Sequence, residues 1–316
     1  MDEVEHRVTV VKADASSFKE EIQALKTQTM RCCLLLYTLA SYHSIVSFRL
    51  CSFNVRYLGP SKASKPRVMD IIIKIISRCD ICLIMEVRDT KGKVVEHLIE
   101  ELNRLNVGHH YTYTASRRLG RSQYKEQYVF VYRSDVVKIT DSYQYEDKKG
   151  NAAIFARAPF VVVFHSPRTV IKDFALVGLH TAPSDAVQEM EELYNVFLEV
   201  RKKWGIEDVM LLGDLNAGCN YVSHSDWETI RVRSDPSFHW LIGDEEDTTV
   251  CKRTHCAYDR MIVHGSRFYS AIVPGSAKAF HFQAEFRLSE SQAGEVSDHY
   301  PVEVEIKLDR TDHSEL

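Results

Sequence analysis

Acidic, amide and imidazole side chains recur in this chain where apolar segments stop or start. The run VMLLGDLNAG, residues 209–218, is apolar until Asp214 and Asn216. Taken alone, it favours a tight turn, because Asp, Asn and Gly form turns with local hydrogen bonds. Similar groups flank five other apolar segments: Asn54, Glu86, His180, Asp259, and Asp298 with His299. Since open α/β sheets place their sites at one edge of the strands, the repetition predicts a single pocket.

These residue types suit metal-assisted phosphoryl chemistry. Carboxylate and amide oxygens prefer Mg²⁺, Mn²⁺ or Ca²⁺ to Zn²⁺. If the chain stays extended after Asp214, Asn216 points to the same face two residues on. Beside a hard cation, one of His180 and His299 can activate water while the other protonates the leaving oxygen. The chain contains no GxSxG sequence, which disfavours a covalent serine mechanism.

Strands and helices must alternate to position these groups. Apolar runs predict strands within 48–56, 81–89, 127–133, 160–166, 173–183, 209–217, 256–265 and 297–308. Apolar residues at helical spacing, with basic residues closing the longest segment, predict helices within 66–79, 94–105 and 185–204.

Composition limits the possible functions. The chain has 316 residues, of which 45% are hydrophobic and 27% charged, as in ordinary globular proteins. Its net charge of -4 argues against a protein that coats nucleic acid by bulk electrostatics. Any action on nucleic acid must therefore depend on a local site.

The amino end resembles a secretory signal. Residues 30–47 combine a basic start, an apolar stretch and a small-residue finish, and this stretch is too short to span a membrane. We therefore predict an N-terminal extension at 1–29, which is not used if Met30 is the start, a signal peptide at 30–47, one domain at 48–309 and a polar tail at 310–316. The predicted location is outside the cell or in the secretory pathway and ER lumen. An amphipathic first helix is the alternative.

The cysteines are too few for a disulfide-built scaffold. We predict one bridge, between Cys219 and Cys256, because both flank turn-rich segments. Cys51, Cys79 and Cys82 lie in apolar segments, where buried free thiols are expected.

Eight motifs occur in an order that resembles the deoxyribonuclease I family from about Phe48 to Leu308. They are SFNVR, IMEVRD, LGRSQYKEQY, GLHTAPSDAV, MLLGDLNAG, EDTTV, CAYDR and SDHYPVEV. GDLNA and SDH are found in the wider endonuclease/exonuclease/phosphatase superfamily, whereas LGRSQYKE and CAYDR narrow the resemblance. It implies an α/β (α+β) four-layer sandwich of two packed, mainly antiparallel or mixed β-sheets flanked by helices. It also implies a monomeric endonuclease that cuts double-stranded DNA to 5′-phosphate ends with little sequence specificity, using Mg²⁺ (or Mn²⁺) and Ca²⁺.

The resemblance also implies roles for the site residues. Glu86 and Asp214 would hold the catalytic metal, and Asn54, Asn216 and Asp298 would help to position metal and phosphate. Glu126 would orient His180 as general acid, Asp259 would orient His299 as general base, and Arg157 would contact the scissile phosphate. The residues themselves leave open which histidine is acid and which is base.

Other positions would contact DNA. Arg88 and Tyr124 match the family's minor-groove pair, which suits recognition of shape rather than sequence. Arg121 would contact phosphates together with Arg117, Arg118 and Lys125; without the resemblance, a solvated basic loop is the plain alternative.

Three departures from the family qualify these expectations. Ala152, Ala153 and Ala158 stand where acids are expected, so one structural calcium site is predicted to be lost, while Asp247 and Thr249 retain the other. Ala115 replaces a larger aliphatic in the actin-contacting stretch, so actin binding should be weak or absent. The chain also ends without a basic tail.

Several alternatives remain at this stage. A sphingomyelinase or an inositol-phosphate phosphatase is disfavoured by Arg88 and Tyr124, and an abasic-site nuclease by the predicted signal peptide. An inactive DNA- or actin-binding relative is disfavoured because the acids and histidines are retained together.

Overall fold

A computed structural model describes residues 47–146 and 153–309. The predicted extension at 1–29, the tail at 310–316 and the signal peptide, apart from Ser47, lie outside the described residues. Ala152 also lies outside them.

The described residues form two six-stranded mixed sheets. The strands are β1 Phe48–Leu58, β2 Ile81–Val87, β3 Tyr111–Ala115, β4 Gln127–Arg133, β5 Lys138–Gln144, β6 Phe160–His165, β7 Asp173–His180, β8 Val209–Asp214, β9 Phe238–Trp240, β10 Asp259–His264, β11 Lys278–Ala279 and β12 Val302–Ile306. One sheet has the order β11-β12-β1-β2-β4-β3 and the other β5-β6-β7-β8-β10-β9. The pairs β1/β2 and β7/β8 are parallel and the remaining pairs are antiparallel.

Helices lie outside both sheets. They are α1 Pro60–Ala63, α2 Pro66–Ile76, α3 Lys93–Leu105, α4 Ala186–Trp204, α5 Arg231–Ser234, α6 Ser266–Ala271, α7 Phe282–Glu285 and α8 Glu290–Val296. None of them is long and apolar enough to span a membrane.

Three apolar clusters separate four layers. The central cluster lies between the sheets and includes Leu83, Phe130 and Leu176. At Gly178, a Cβ would lie 3.1 Å from the Leu83 side chain, so the sheets approach closely there. One outer cluster joins α2 and α3 to the first sheet, and the other joins α4 to the second. The predicted four-layer sandwich is confirmed.

Two disulfides are present within the described residues. Cys219–Cys256 is the predicted bridge. Cys51 and Cys79 also form a bridge, so the prediction of free thiols at these two positions is wrong. The reason is that α2 packs on the face of β1 that carries Cys51, and the turn after α2 brings Cys79 to the same cluster. Cys82 is a buried free thiol, as predicted.

Strand pairing gathers the polar strand ends at one edge of each sheet. In the second sheet, Asp214 of β8 is paired with His180 of β7 and with Asp259 of β10. Asp259 begins its strand rather than ending it, because β10 runs antiparallel to β8. In the first sheet, Asn54 is paired with Met85, the residue before Glu86.

Candidate active site

Two carboxylate–imidazole pairs face one buried aspartate. Glu126 Oε1 lies 2.7 Å from His180 Nδ1, and Asp259 Oδ2 lies 2.7 Å from His299 Nδ1. The opposite nitrogens, Nε2 of His180 and of His299, lie 3.5 Å and 3.6 Å from Asp214 Oδ2. Each carboxylate therefore fixes the ring orientation of its histidine and leaves Nε2 directed into the cleft.

The pKa values follow from this crowding of charge. Burial alone lowers the pKa of His299, but the carboxylates of Asp259 and Asp214 outweigh it and raise this pKa to about 10. Burial likewise opposes the charged form of His180, yet the hydrogen bond to Glu126 leaves its pKa raised. Burial would raise the pKa of Asp214, but His299 and His180 hold it below its usual range. The protein alone thus favours protonated imidazoles around an ionised Asp214.

A second group of oxygens lies beside Asp214. Asn54 Nδ2 donates to Asp214 Oδ2 at 3.0 Å and contacts Glu86 Oε1 at 3.3 Å, so one amide nitrogen bridges the two carboxylates. The oxygens of these two converging carboxylates fit a hard divalent cation, whereas the Asn54 nitrogen orients them rather than binding it. Asp214, Asp259 and His299 also come close enough together to hold a metal ion. Asp259 is buried and bonded to His299, and its role in orienting that ring remains a prediction.

Asn216 and Asp298 lie at the margins of this group. Asn216 has a φ of 48°, so the chain does not stay extended after Asp214 as the sequence argument required. Its Nδ2 donates to Thr181 O at 3.2 Å. Asp298 is half-exposed and pairs with Arg56 at 3.5 Å. Direct contact of either side chain with a cation remains a prediction.

Arg157 lies next to the Glu126–His180 pair. Its Nε donates to His180 O at 2.8 Å and its Nη2 donates to Thr181 O at 2.6 Å. Its Nε also lies 3.3 Å from Glu126 Oε1. These contacts fix a guanidinium beside the histidine, where it can meet a phosphate oxygen.

Beneath this corner lies a buried glutamate that the sequence argument missed. Glu189 Oε1 accepts hydrogen bonds from Ala156 N at 3.0 Å and Ala182 N at 3.3 Å. It therefore links the segment carrying Arg157 to the segment that follows His180. It lies in α4 three residues after Ala186 and four before Leu193, so an acid at helical spacing on the apolar face was the signal in the sequence.

The predicted groove-binding pair is also brought together. The Arg88 guanidinium carbon lies 5.6 Å from the centre of the Tyr124 ring. It lies closer, at 3.9 Å, to the ring of Tyr57, which the sequence argument did not single out.

Arg121 is engaged within the protein. It pairs with Asp185 at 2.5 Å and donates to the carbonyl oxygens of Ala153 and Ile154. A guanidinium thus binds oxygens of the loop in which the sequence predicted the loss of a calcium site. Contact of Arg121 with DNA phosphate remains a prediction.

The other predicted calcium residues contact each other. Asp247 Oδ1 accepts from Thr249 Oγ1 at 2.7 Å, and Asp247 Oδ2 lies 2.9 Å from His255 Nδ1. Ca²⁺ takes six to eight oxygen ligands, more than Asp247 and Thr249 provide. The residues fit part of a calcium site, which remains a prediction.

Strained backbone marks the site. Arg56, Tyr57, Glu86 and Asn216 all have positive φ values, between 45° and 58°. Such conformations are uncommon for residues other than glycine and cluster at functional sites.

Comparison with known proteins agrees with this geometry. A profile of the endonuclease/exonuclease/phosphatase family matches residues 51–299. Deoxyribonuclease gamma of Homo sapiens is 48% identical, over 87% of this chain and 91% of that protein. Deoxyribonuclease-1 of Sus scrofa is 51% identical, over 83% of this chain and 92% of that protein. An endonuclease/exonuclease/phosphatase structure from Bacteroides vulgatus superposes with a TM-score of 0.57 at 16% identity, over 84% of this chain and 100% of that one, and shares the fold.

The fold and the paired acids and histidines thus place the chain in the endonuclease/exonuclease/phosphatase family. Within it, the identity to the two nucleases over most of their length shows that the chain belongs to the deoxyribonuclease I family, as the motifs predicted.

Proposed function

We propose that this protein is a metal-dependent endonuclease that hydrolyses double-stranded DNA to 5′-phosphate ends with little sequence specificity. The observation that carries the proposal is the convergence of two carboxylate–imidazole pairs on Asp214. Two oriented imidazoles on either side of a reacting phosphate can supply the base and the acid that hydrolysis requires. The nuclease names of the relatives support DNA as the substrate.

Glu86 and Asp214 would hold Mg²⁺ or Mn²⁺ with the help of Asn54, Asn216 and Asp298. When bound, such a cation would polarise the phosphate and stabilise the negative charge that develops there. A cation held there would also offset the charge of Asp214. His299 would act as the base that accepts a proton from the attacking water.

The remaining site residues orient groups and neutralise charge. Asp259 keeps Nε2 of His299 directed at the attacking water, and Glu126 keeps Nε2 of His180 directed at the leaving oxygen. Arg157 contacts a non-bridging phosphate oxygen, which is an electrostatic role. Arg88 and Tyr124 enter the minor groove, while Arg121 contributes to phosphate binding at its edge.

The proposal extends to the protein's environment. The two disulfides support an oxidising compartment, which agrees with a secreted or ER-lumenal enzyme. We further propose that the enzyme acts as a monomer, binds Ca²⁺ near Asp247 and Thr249, and binds actin weakly or not at all.

The test is nicking of supercoiled plasmid in Mg²⁺ and Ca²⁺. His180→Ala and His299→Ala should each lower the rate by roughly 10²–10⁴-fold, because each removes one proton-transfer group. Chelation by EDTA should abolish nicking, and Mg²⁺ or Mn²⁺ should restore it.

The matched control is His165→Ala. His165, the last residue of β6, also pairs with an acid, Asp173, at 2.8 Å, but Asp173 begins β7 whereas His180 ends it. This variant should nick at the wild-type rate. Absence of nicking by the wild type, or retention of full activity by either cleft variant, would defeat the proposal.

A further inference from the structure

A register shift next to the cleft leaves β1 with two more residues than β2 between Asn54 and Leu58. The strands β1 and β2 are in register as far as Asn54 and Met85, and the register shifts before Leu58 pairs with Val87. Such bulges are common beside active sites, where they redirect side chains. Here the extra residues include Tyr57, whose φ is 57°.

The backbone of Tyr57 is held to the proposed metal site. Its N–H donates to Glu86 Oε2 at 3.1 Å. A left-handed conformation is unfavourable for a bulky side chain and persists only where the surroundings fix it. The side chain remains 52% exposed, so the strained residue presents an aromatic ring to solvent.

The exposed ring lies against Arg88. The guanidinium carbon is 3.9 Å from the ring centre, whereas Arg88 Nη2 is 3.7 Å from Glu86 and 3.9 Å from Glu126, beyond hydrogen-bond distance. Arg88 Nε is buried and has no hydrogen-bond partner among the described residues. Stacking on Tyr57 therefore restricts where the guanidinium points, which lowers the entropy lost when Arg88 binds a ligand.

The chemistry of this surface fits nucleic acid. Two exposed tyrosines, Tyr57 and Tyr124, lie beside one guanidinium at the mouth of an acid- and histidine-lined cleft. Aromatic rings pack on sugars and bases, and a guanidinium satisfies acceptors in the groove.

We propose that Tyr57 is a DNA-contacting residue that also positions Arg88 for entry into the groove. This inference rests on the proposed function, and it assigns to the substrate-binding surface a residue outside the predicted groove-binding pair.

The experiment measures binding of a short fluorescent DNA duplex by anisotropy in the His299→Ala background, which separates binding from cleavage. Tyr57→Asn removes the ring but tolerates the left-handed backbone, so we expect the Kd to rise about five- to twentyfold. Tyr57→Phe keeps the ring and should stay within about twofold of the parent. In active enzyme, Tyr57→Asn should raise KM by a similar factor and change kcat less than about threefold.

A double-mutant cycle tests whether Tyr57 acts through Arg88. Tyr57→Asn should change log Kd in an Arg88→Ala background by at most half of the change that it causes when Arg88 is present. The reason is that the residue Tyr57 positions is then absent. Tyr269→Asn is the matched control, since Tyr269 is 51% exposed but lies on α6, beyond the end of β10 remote from Asp259. It should leave Kd unchanged.

Three outcomes are informative. Unchanged Kd in Tyr57→Asn would overturn the assignment, and an equal loss with and without Arg88 would overturn the positioning role. A third outcome is that DNA binding depends on Tyr57 but the protein with His299 intact does not nick plasmid. This outcome would reject the proposed function and support the binding surface.

Discussion

Among single residues, Glu189 combines burial with an incompletely satisfied carboxylate. Two backbone N–H groups reach Oε1, whereas Oε2 has no hydrogen-bond partner among the described residues. Burial therefore raises the pKa of Glu189 to about 7, although its hydrogen bonds and Arg157 oppose the shift. The side chain joins two segments of the site at a cost in stability whenever it is ionised.

This cost predicts a pH dependence. The ordinary pKa is 4.5, so between 4.5 and 7 the folded protein holds a proton that the unfolded chain has lost. The contribution of Glu189 to stability is thus greatest below pH 4.5 and declines as the pH rises through 7. Glu189→Gln has no such proton to lose, so its free energy of unfolding relative to the wild type should increase by roughly 3 kcal/mol from acid to pH 8.

Urea unfolding of both proteins at several pH values measures this difference. A difference between them that stays constant from pH 4.5 to 8 would contradict the assignment of the shift to Glu189.

Residue types and motifs predicted the central acids and histidines, because these side chains lie where apolar strands end or begin, which the sequence shows directly. Glu189 and Tyr57 were missed for different reasons. Glu189 is buried by tertiary packing of α4, and Tyr57 is exposed by a bulge. The helical spacing of Ala186, Glu189 and Leu193 does place the acid on the buried face of α4, whereas the bulge leaves no periodic signal in the sequence.

The close approach of the end of β8 to β7 depends on Gly213. Its φ is 142°, and a Cβ there would lie 1.8 Å from Leu179 O on the adjacent strand β7. The absence of a side chain thus permits the close approach that sets Asp214 beside His180.

Gly213→Ala should therefore be severely destabilising, by roughly 3 kcal/mol or more, because β7 and β8 must separate to admit the methyl group. The folded fraction should also lose most of its nicking rate, since Asp214 moves with the strand. Thermal unfolding and plasmid nicking measure these two effects.

Gly108→Ala is the matched control, because no described atom lies within 4 Å of a Cβ built there and its φ is not left-handed. A Gly213→Ala protein with the stability of this control would show that the strand end is less constrained than the geometry indicates.

The long apolar strands and the three predicted helices are present in the structure, with ends shifted by a few residues. Periodicity succeeds where burial is continuous, as in β4 and β6. It missed β3 and β5, which lie at the edges of their sheets and have the sequences YTYTA and KITDSYQ. It also missed β9 and β11, which have only three and two residues.

The Cys51–Cys79 disulfide links the first strand to the turn after α2. Replacing both cysteines with alanine should lower the free energy of unfolding by about 3 kcal/mol, through loss of a crosslink spanning 28 residues. The nicking rate of folded protein should be retained, because this bridge lies on the helix-covered face of the sheet, away from the cleft.

The Cys219→Ala/Cys256→Ala pair provides the contrast. Cys256 lies three residues before Asp259, and its bridge joins that segment to the turn after Asp214. This variant should lose both stability and nicking rate. An unchanged urea midpoint in the Cys51/Cys79 variant would reject the stabilising role of that bridge.

The pairing of β1 with β12 has a consequence for synthesis. Phe48 pairs with Ile306, and the cleft needs Asn54 from the first strand and His299 from the segment just before the last. Until residues up to Ile306 have been synthesised, β1 has β2 beside it but lacks β12, and until His299 has been synthesised, Asp259 lacks the imidazole bonded to it. The cleft is therefore complete only after β12 has paired with β1, so its chemistry depends on folding across the whole described domain.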